Sequence, residues 1–463
     1  MNTLLLQPTD VLFFRDGRPM TGSLAGHGAA WPLPNVINAA FYAALHRSGF
    51  AKDAHSHRRG VRGVYAADAQ RDRKFGSLVT AGPFPVALGQ TWFFPRPADL
   101  QDATLQPALL PADSFDSVQS SLPVPLKYAV ANRLPPTKES GAKAWLSCEA
   151  FETYLGPAKS AVTAARLAAH TLDDSDLFDR EHSIGIGIDP DTGSQDGESF
   201  YSAHYLRLRE GWQLGVCAAA EDKEFKHDQH GNDLVKALLN GGQHQIIVGG
   251  QQRICSARMS PTALPLPRGK TADFKERQGK FLVKWILLSP AVWPAIAAAT
   301  EKNILDHPGG SLPNWISPEN GEVLLKAGDI ARRESDSREA WRQRVRQQGS
   351  IAAKLVAAII PKPLVVTGWS LPDEAGATDA ERNGGAQSTH LAVPAGAVYY
   401  FEADSAKEAC KLAAALNWHG NDANPTTIKN RRSTLLGEKG FGLGVCSTWE
   451  FFPDVAGRSP ACL

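Results

Sequence analysis

Apolar residues in the first fifty positions follow two different spacings. Short apolar runs at 3–7 and 11–14 are separated by Pro8 and Asp10, a pattern typical of short strands. From position 36 to position 45, apolar residues recur at i and i+4, the spacing of one helix face. The pattern predicts two short strands and then a helix, with Asn35 as its N-cap and Gly49 at its end.

The middle third of the chain is typical of β-structure. Residues 182–189 alternate apolar and small side chains, turn-forming residues fill 190–197, and residues 199–208 return to a strand-like pattern. This order predicts a β-hairpin. Apolar runs at 212–218 and 245–248 predict strands that pair with it.

The second half of the chain has its own strands and helices. A polar, proline-containing stretch at 260–279 precedes them, and we place a domain boundary there. The predicted strands are 281–288, 364–368, 397–402 and 444–452, and the predicted helices are 338–360 and 406–418. Because neither half alternates strand and helix regularly, the pattern predicts an α+β fold with domains at 1–265 and 280–463.

The composition is that of a folded protein that needs no disulfide bonds or structural metal. The chain has 463 residues, and its six cysteines form no CxxC pair, so neither a disulfide framework nor a zinc site is indicated and no cofactor is expected. The N-terminal residues lack the basic start of a signal peptide, and no segment stays apolar for the roughly 20 residues that a membrane span needs. We expect a cytoplasmic protein with no membrane partner.

The charge is balanced overall and uneven locally. The formal net charge is +1, which argues against a histone-like binder of nucleic acid. Residues 171–200 are strongly acidic, whereas the windows 51–75, 326–354 and 427–440 are basic. The arginines at 338–346 fall mostly on one side of a predicted helix and could follow a phosphate backbone, although a solvated helix face is the commoner explanation.

The glycine-rich segment 437–444 is the most specific local feature. Its glycines lead into a strand, whereas a Rossmann fingerprint or a P-loop places a helix after the glycines to hold the phosphate. Two interpretations stay open. The backbone N–H groups could approach a sugar-phosphate chain, with charge from Arg431, Arg432 and Lys439 and a stacking face from Phe441. Alternatively, the glycines form a flexible turn.

Two further segments carry residues suited to RNA. Arg15 and Arg18 stand in a turn before the first helix, and their guanidinium groups suit phosphate, although Asp16 offers an ion pair within the turn. His55 and His57 titrate near neutral pH, as a general acid or base for RNA cleavage must. A solvated basic loop is the commoner explanation for these histidines.

Several segments, in order along the chain, together resemble one family. They are DVLFFRDGRP at 10–19, EHSIGIGID at 181–189, Thr192 with Gly193, Tyr201, VGGQQR at 248–253, TGW at 367–369, AVPAGAVYYFE at 392–402 and GFGLG at 440–444. The resemblance is to the RAMP-type third subunit of the Cmr, or type III-B, CRISPR effector complex. It spans the chain from residue 10 to about residue 450.

The resemblance implies two ferredoxin-like (RRM-related) domains with β-hairpin and loop insertions. It also implies a non-catalytic subunit, present as a single copy in a hetero-oligomer, that acts in antiviral defence. Such a subunit holds the 5′ repeat-derived handle of the crRNA and contacts the large polymerase-like subunit and a backbone RAMP subunit. The RNA-binding residues carried over by position are Arg15, Arg18, Arg253, Gly440, Phe441, Gly442 and Gly444.

Charge adds Arg431, Arg432 and Lys439 to these RNA-binding candidates, and Tyr42 joins Phe441 as a candidate stacking partner. Two other functions stay open. One is a RAMP-fold endoribonuclease that processes guide RNA with His55 or His57 as general acid or base. The other is a protein–protein adaptor that does not contact RNA.

Overall fold

The computed structural model describes residues 1–14, 24–26, 31–48, 78–101, 106–109, 122–124, 126–131, 143–156, 167–220, 233–298, 306–327, 337–370, 385–386 and 388–451. The helices in these ranges are α1 (Pro34–Arg47), α2 (Cys148–Leu155), α3 (Asp174–Leu177), α4 (Leu234–Leu238), α5 (Arg338–Gln347) and α6 (Ala406–Leu416). None of them is long and apolar enough to cross a membrane.

Strands account for more of the described residues than helices do. They are β1 (Asn2–Pro8), β2 (Leu24–Gly26), β3 (Val79–Ala87), β4 (Phe93–Pro95), β5 (Gln106–Leu109), β6 (Tyr128–Ala131), β7 (Trp145–Ser147), β8 (Thr171–Leu172), β9 (Phe178–Ile188), β10 (Gln195–Leu208), β11 (Trp212–Ala219), β12 (Gln243–Ile247), β13 (Ile254–Met259), β14 (Lys275–Arg277), β15 (Lys280–Leu287), β16 (Ala353–Ile359), β17 (Leu364–Val366), β18 (Trp369–Ser370), β19 (Gly385–Ala386), β20 (His390–Ala392), β21 (Val398–Ala403) and β22 (Gly444–Thr448).

A five-stranded antiparallel sheet in the order β12-β13-β1-β11-β3 forms the centre of the N-terminal half. The central strand β1 is apolar at successive positions because both of its faces are covered. Leu4 and Leu6 pack in one cluster with α1, and Leu5 packs in a second cluster that extends into the C-terminal half. Full burial on two faces explains why this strand lacks the usual alternation.

The C-terminal half has a similar sheet in the order β14-β15-β21-β16, with β22 paired to the other side of β15. Helix α6 packs on one face through Ala409, Leu412, Ala413 and Leu416. The other face joins the apolar cluster shared with the N-terminal half. The mixed helices and antiparallel sheets confirm the predicted α+β class.

A buried polar network connects the two halves. Lys284 of β15 lies 2.8 Å from a carboxylate oxygen of Asp99, and its Nζ also donates to the Tyr154 hydroxyl on α2. The Tyr154 and Tyr400 hydroxyls both donate to Asp99. Burial is the main cause that raises the pKa of both tyrosines well above its ordinary value, so both remain protonated donors.

Two details of the predicted helices were wrong. The helix predicted at 338–360 ends at Gln347, and residues 353–359 form β16 because pairing with β21 satisfies their backbone groups and buries apolar side chains on both faces of the sheet. Helix α1 begins at Pro34 after the N-cap Leu33, so Asn35 lies inside the first turn. Proline suits the first helical position because its missing N–H needs no partner there.

The predicted β-hairpin is confirmed as β9 and β10. The strands predicted to pair with it, β11 and β12, lie instead in the five-stranded N-terminal sheet, where β1, β3 and β13 satisfy their backbone groups. The hairpin register places His182 opposite His204 and Phe178 opposite Leu208. The acidic stretch 171–200 therefore includes the short helix α3, the whole of β9 and the first part of β10. Ile184, Ile186 and Ile188 alternate along β9 and are more than half exposed.

Candidate nucleic-acid interface

The C-terminal loop, residues 430–444, packs between the two halves of the chain. Its short 3₁₀ turn, Gly437–Lys439, lies against β3 and α1. Gly440 has a φ of +95°, and a Cβ there would lie 2.9 Å from the Thr80 carbonyl oxygen and 3.2 Å from the Cβ of Pro34. Glycine is needed because the loop backbone approaches the other half this closely.

The same loop buries the aromatic residue that was predicted to stack on RNA. Phe441 is fully buried and packs with Val292, Val366 and Ala392. The Gly442 N–H donates to the Pro290 carbonyl oxygen at 2.7 Å, and Gly444 begins the buried strand β22. The prediction of a stacking face at Phe441 is therefore wrong, because its ring contributes to the core.

Arg432 makes hydrogen bonds that stabilise the fold. Its Nε donates to the Ala415 carbonyl oxygen at 2.6 Å, at the end of α6, and its own carbonyl oxygen accepts from Trp293 Nε1 at 2.7 Å. Burial lowers the pKa of its guanidinium to about 10, so the group remains charged at neutral pH. Its main contacts hold the C-terminal loop against α6.

The neighbouring Arg431 has unsatisfied hydrogen-bond donors. Its Nε and Nη2 are buried, and neither has a hydrogen-bond partner among the described residues. Burial lowers the pKa of this guanidinium to about 10, more than the nearby Glu438 carboxylate raises it. A buried donor without an acceptor is costly, and these nitrogens retain donor capacity that no described residue uses.

The same loop carries a further positive group, Lys439, next to the acidic Glu438. Lys439, at the end of the 3₁₀ turn, is half-buried and makes no ion pair within the described ranges. The turn also packs against α1, which has no side-chain cap and no acidic residue in its first turn. A helix N-terminus carries partial positive charge, so this corner of the molecule favours an anion.

Arg253 lies in a separate cluster at the base of the β9–β10 hairpin. Its guanidinium carbon is 5.0 Å from the centre of the Tyr205 ring, and its Nη1 is 3.8 Å from Asp10. Asp10 also pairs with Arg207 at 2.9 Å. The Arg253 Nε is buried without a hydrogen-bond partner among the described residues, so this arginine is only partly neutralised.

The N-terminal segments that carry the family resemblance, residues 10–14, the β9–β10 hairpin and 248–253, meet in this cluster. Leu12 forms an antiparallel bridge with Leu206 of the hairpin, and the Gly250 N–H donates to the Phe13 carbonyl oxygen at 2.9 Å. Arg15 and Arg18, which follow Phe14 in the sequence, lie outside the described residues, as do His55 and His57. Tyr42 is half-buried against the N-terminal apolar cluster.

Sequence reasoning missed the residues that orient these arginines. Asp10, Tyr205 and Gln251 surround Arg253, and the uncapped start of α1 faces the C-terminal loop. One signal was available in the sequence: Pro34 at a helix start without a capping residue leaves an electropositive terminus. The contacts of Arg253 required the hairpin, which brings β10 beside residues 10–14.

Comparison with known proteins gives one matching family and several similar solved structures. The family model described as "CRISPR-associated protein (Cas_Cmr3)" matches residues 4–449. A chain of a type III-B Cmr-beta complex bound to cognate target RNA is 12% identical, with 86% of each chain covered and a TM-score of 0.37. A chain of a Csm3–Csm4 subcomplex from the type III-A CRISPR-Cas interference complex is 9% identical, with 86% of this chain and 92% of that chain covered and a TM-score of 0.37. No curated protein matches the chain.

Proposed function

This chain belongs to the Cas_Cmr3 family of CRISPR-associated proteins, and from that membership we propose that it is a non-catalytic RNA-binding subunit of a type III-B CRISPR effector. In this proposal, one copy holds the 5′ repeat-derived handle of the crRNA. It also bridges the large polymerase-like subunit to a backbone RAMP subunit.

The observation that carries the proposal is the buried guanidinium of Arg431. Its Nε and Nη2 have no acceptor among the described residues, although Arg432 beside it donates to two acceptors within the chain. A phosphate oxygen is an acceptor that suits the planar guanidinium fork. Lys439 in the same loop and the start of α1, against which the 3₁₀ turn packs, add positive potential, which supports an RNA backbone as the ligand.

Two ferredoxin-like domains are part of the same proposal, at 1–265 and 280–463. The strand order supports it. In the N-terminal half, β1, β3, β11 and β13 lie in the spatial order fourth, first, third, second, and β15, β16, β21 and β22 repeat that order in the C-terminal half. Helix α1 follows the first strand of one set, and α6 follows the third strand of the other.

The test compares Arg431 with Lys429, a cation two residues earlier that lies just before the C-terminal loop. Lys429 pairs with Asp422 at 2.9 Å, so Lys429→Gln is the matched control for Arg431→Gln. With a labelled RNA that carries the repeat-derived 5′ end, we expect Arg431→Gln to weaken binding about fourfold at 0.15 M salt. The slope of log affinity against log salt should fall by about 0.7, the value for one phosphate contact on a single strand.

Equal slopes for Arg431→Gln and Lys429→Gln would remove Arg431 from the interface. The endoribonuclease alternative is tested separately with repeat RNA and no metal. Cleavage that His57→Ala abolishes would support the nuclease, and intact RNA would support the scaffold. An adaptor without RNA contact predicts no crosslinks between this chain and RNA in the assembled complex.

A further inference from the structure

Helix α5 differs from the other long helices in its surroundings. Helices α1, α2 and α6 each bury at least four side chains, whereas no described side chain of α5 is buried. Its N-cap is satisfied, because Ser337 Oγ accepts from the Ala340 N–H at 3.1 Å. A ten-residue helix is marginal by itself in water, so α5 is either a weakly held surface helix or one that a partner covers.

The exposed face of α5 is charged and not apolar. Arg342 and Arg346 are exposed one turn apart, and neither makes an ion pair within the described part of the chain. Their Cα atoms are about 6 Å apart along the helix axis. Trp341 and Val345 are half-buried, and none of the large apolar side chains that the described surface exposes belongs to α5.

This composition distinguishes between two kinds of partner. Protein interfaces are anchored by apolar or aromatic side chains that are buried on binding, and apart from Ala340 the exposed side chains described on α5 are all polar or charged. A phosphate backbone needs cations at a suitable spacing and no apolar anchor. The single acidic residue of the helix, Glu339, lies in the first turn, away from Arg346.

We propose that α5 is a second RNA-contacting surface, which binds the phosphate backbone of single-stranded RNA through Arg342 and Arg346 without reading its sequence. This inference rests on the proposed function in that it takes RNA as the ligand of the protein. The two candidate contacts lie on different segments of the chain, α5 and residues 430–444. A guide would thus be held at its 5′ handle and again at α5.

The test uses the purified full-length chain and two labelled single-stranded RNAs of equal length. One RNA carries the repeat-derived 5′ end, and the other is a mixed sequence without it. We expect the double variant Arg342→Gln, Arg346→Gln to weaken binding of both RNAs about tenfold at 0.15 M salt and to lower the salt slope by about 1.4, the value for two phosphate contacts. Glutamine is chosen because it retains helix propensity.

Two control variants separate charge from structure. Arg342→Lys, Arg346→Lys retains both charges and should retain most of the slope. Lys236→Gln, Lys407→Gln removes two exposed cations from α4 and α6 and should leave the slope within the error of the wild type. Circular dichroism at each salt concentration confirms that the variants fold alike.

The outcomes are distinguishable from those of the proposed function. If the wild-type chain binds neither RNA, the proposed function fails together with this inference. If the handle RNA binds normally and the α5 double variant has an unchanged slope, this inference alone is overturned. If the double variant retains its RNA slope but loses a subunit from the purified complex, α5 is a protein-docking helix and not an RNA contact.

Discussion

Lys280 and Lys284 provide a matched pair of ion pairs on one strand. Lys280 Nζ is 2.8 Å from Asp404, and Lys284 Nζ is 2.8 Å from Asp99. The side chains of the first pair are 46% and 58% exposed, and those of the second are 5% and 0% exposed. Because the charged groups and the distance are the same, the comparison contrasts a buried, hydrogen-bonded ion pair with an exposed one.

We expect Lys284→Met to lower the free energy of unfolding by about 3–5 kcal/mol, because it leaves the Asp99 carboxylate buried without a cation. Lys280→Met should cost at most about 1 kcal/mol, since water solvates the remaining carboxylate and screens the original pair. Urea denaturation followed by tryptophan fluorescence measures both. Trp285, adjacent to Lys284 and fully buried, is one of the reporters.

A second substitution shows whether the loss comes from the unpaired charge. Asp99→Asn in the Lys284→Met background removes that charge while the Tyr154 and Tyr400 hydroxyls retain a neighbour with which to hydrogen-bond. We expect this double variant to be more stable than Lys284→Met alone. Equal losses for Lys284→Met and Lys280→Met, or a further loss on adding Asp99→Asn, would refute the reasoning.

Three further predictions concern the C-terminal loop and its surroundings. Phe441→Ala should lower the free energy of unfolding by about 3–5 kcal/mol, while the folded fraction binds RNA as the wild type does. Urea melts measure the first effect and RNA titrations the second. Weaker RNA binding with no loss of stability would support the stacking role of Phe441. Gly440→Ala should lower the free energy of unfolding by about 1–3 kcal/mol, because of its positive φ and the close Thr80 oxygen. Gly437→Ala, whose nearest contact would be at 3.6 Å, should lower it by less than about 0.5 kcal/mol. Equal losses for the two variants would contradict the packing role of Gly440. Burial holds the pKa of His419 below its ordinary value of about 6.5. As the pH drops below that value, the unfolded chain takes up a proton that the folded chain does not, so the free energy of unfolding should fall. Urea melts of wild type and His419→Gln across this pH range measure the effect, and identical pH profiles for the two proteins would contradict the prediction.

Much of the architecture follows from short-range patterns. The i, i+4 apolar spacing of α1, the alternation in β9 and the turn residues after it each describe a local structure that forms where it was predicted. The helix predicted at 338–360 shows the limit of such patterns. Residues 353–359 suit a helix or a buried strand equally well by periodicity, and the pairing with β21 decided between them.

The candidate site shows the same limit more strongly. Arg431 and Arg432 are adjacent and chemically identical, yet one donates to the end of α6 and the other retains unpartnered donors. Nothing in the local sequence separates them, because the difference depends on which side of the loop backbone faces α6. Phe441 was misassigned for a similar reason: its neighbours Val292 and Val366 are distant in the chain.

The sequence by itself therefore determined the α+β class, the hairpin, the order of most elements and the family, since each depends on local spacing or on the identity of residues along the chain. Only the tertiary structure decided which cations are available for a ligand and which aromatic ring is core. Burial and hydrogen-bond satisfaction depend on contacts between residues far apart in sequence, such as the C-terminal loop with β3 and α1 or Lys284 with Asp99. A local pattern does not contain those contacts.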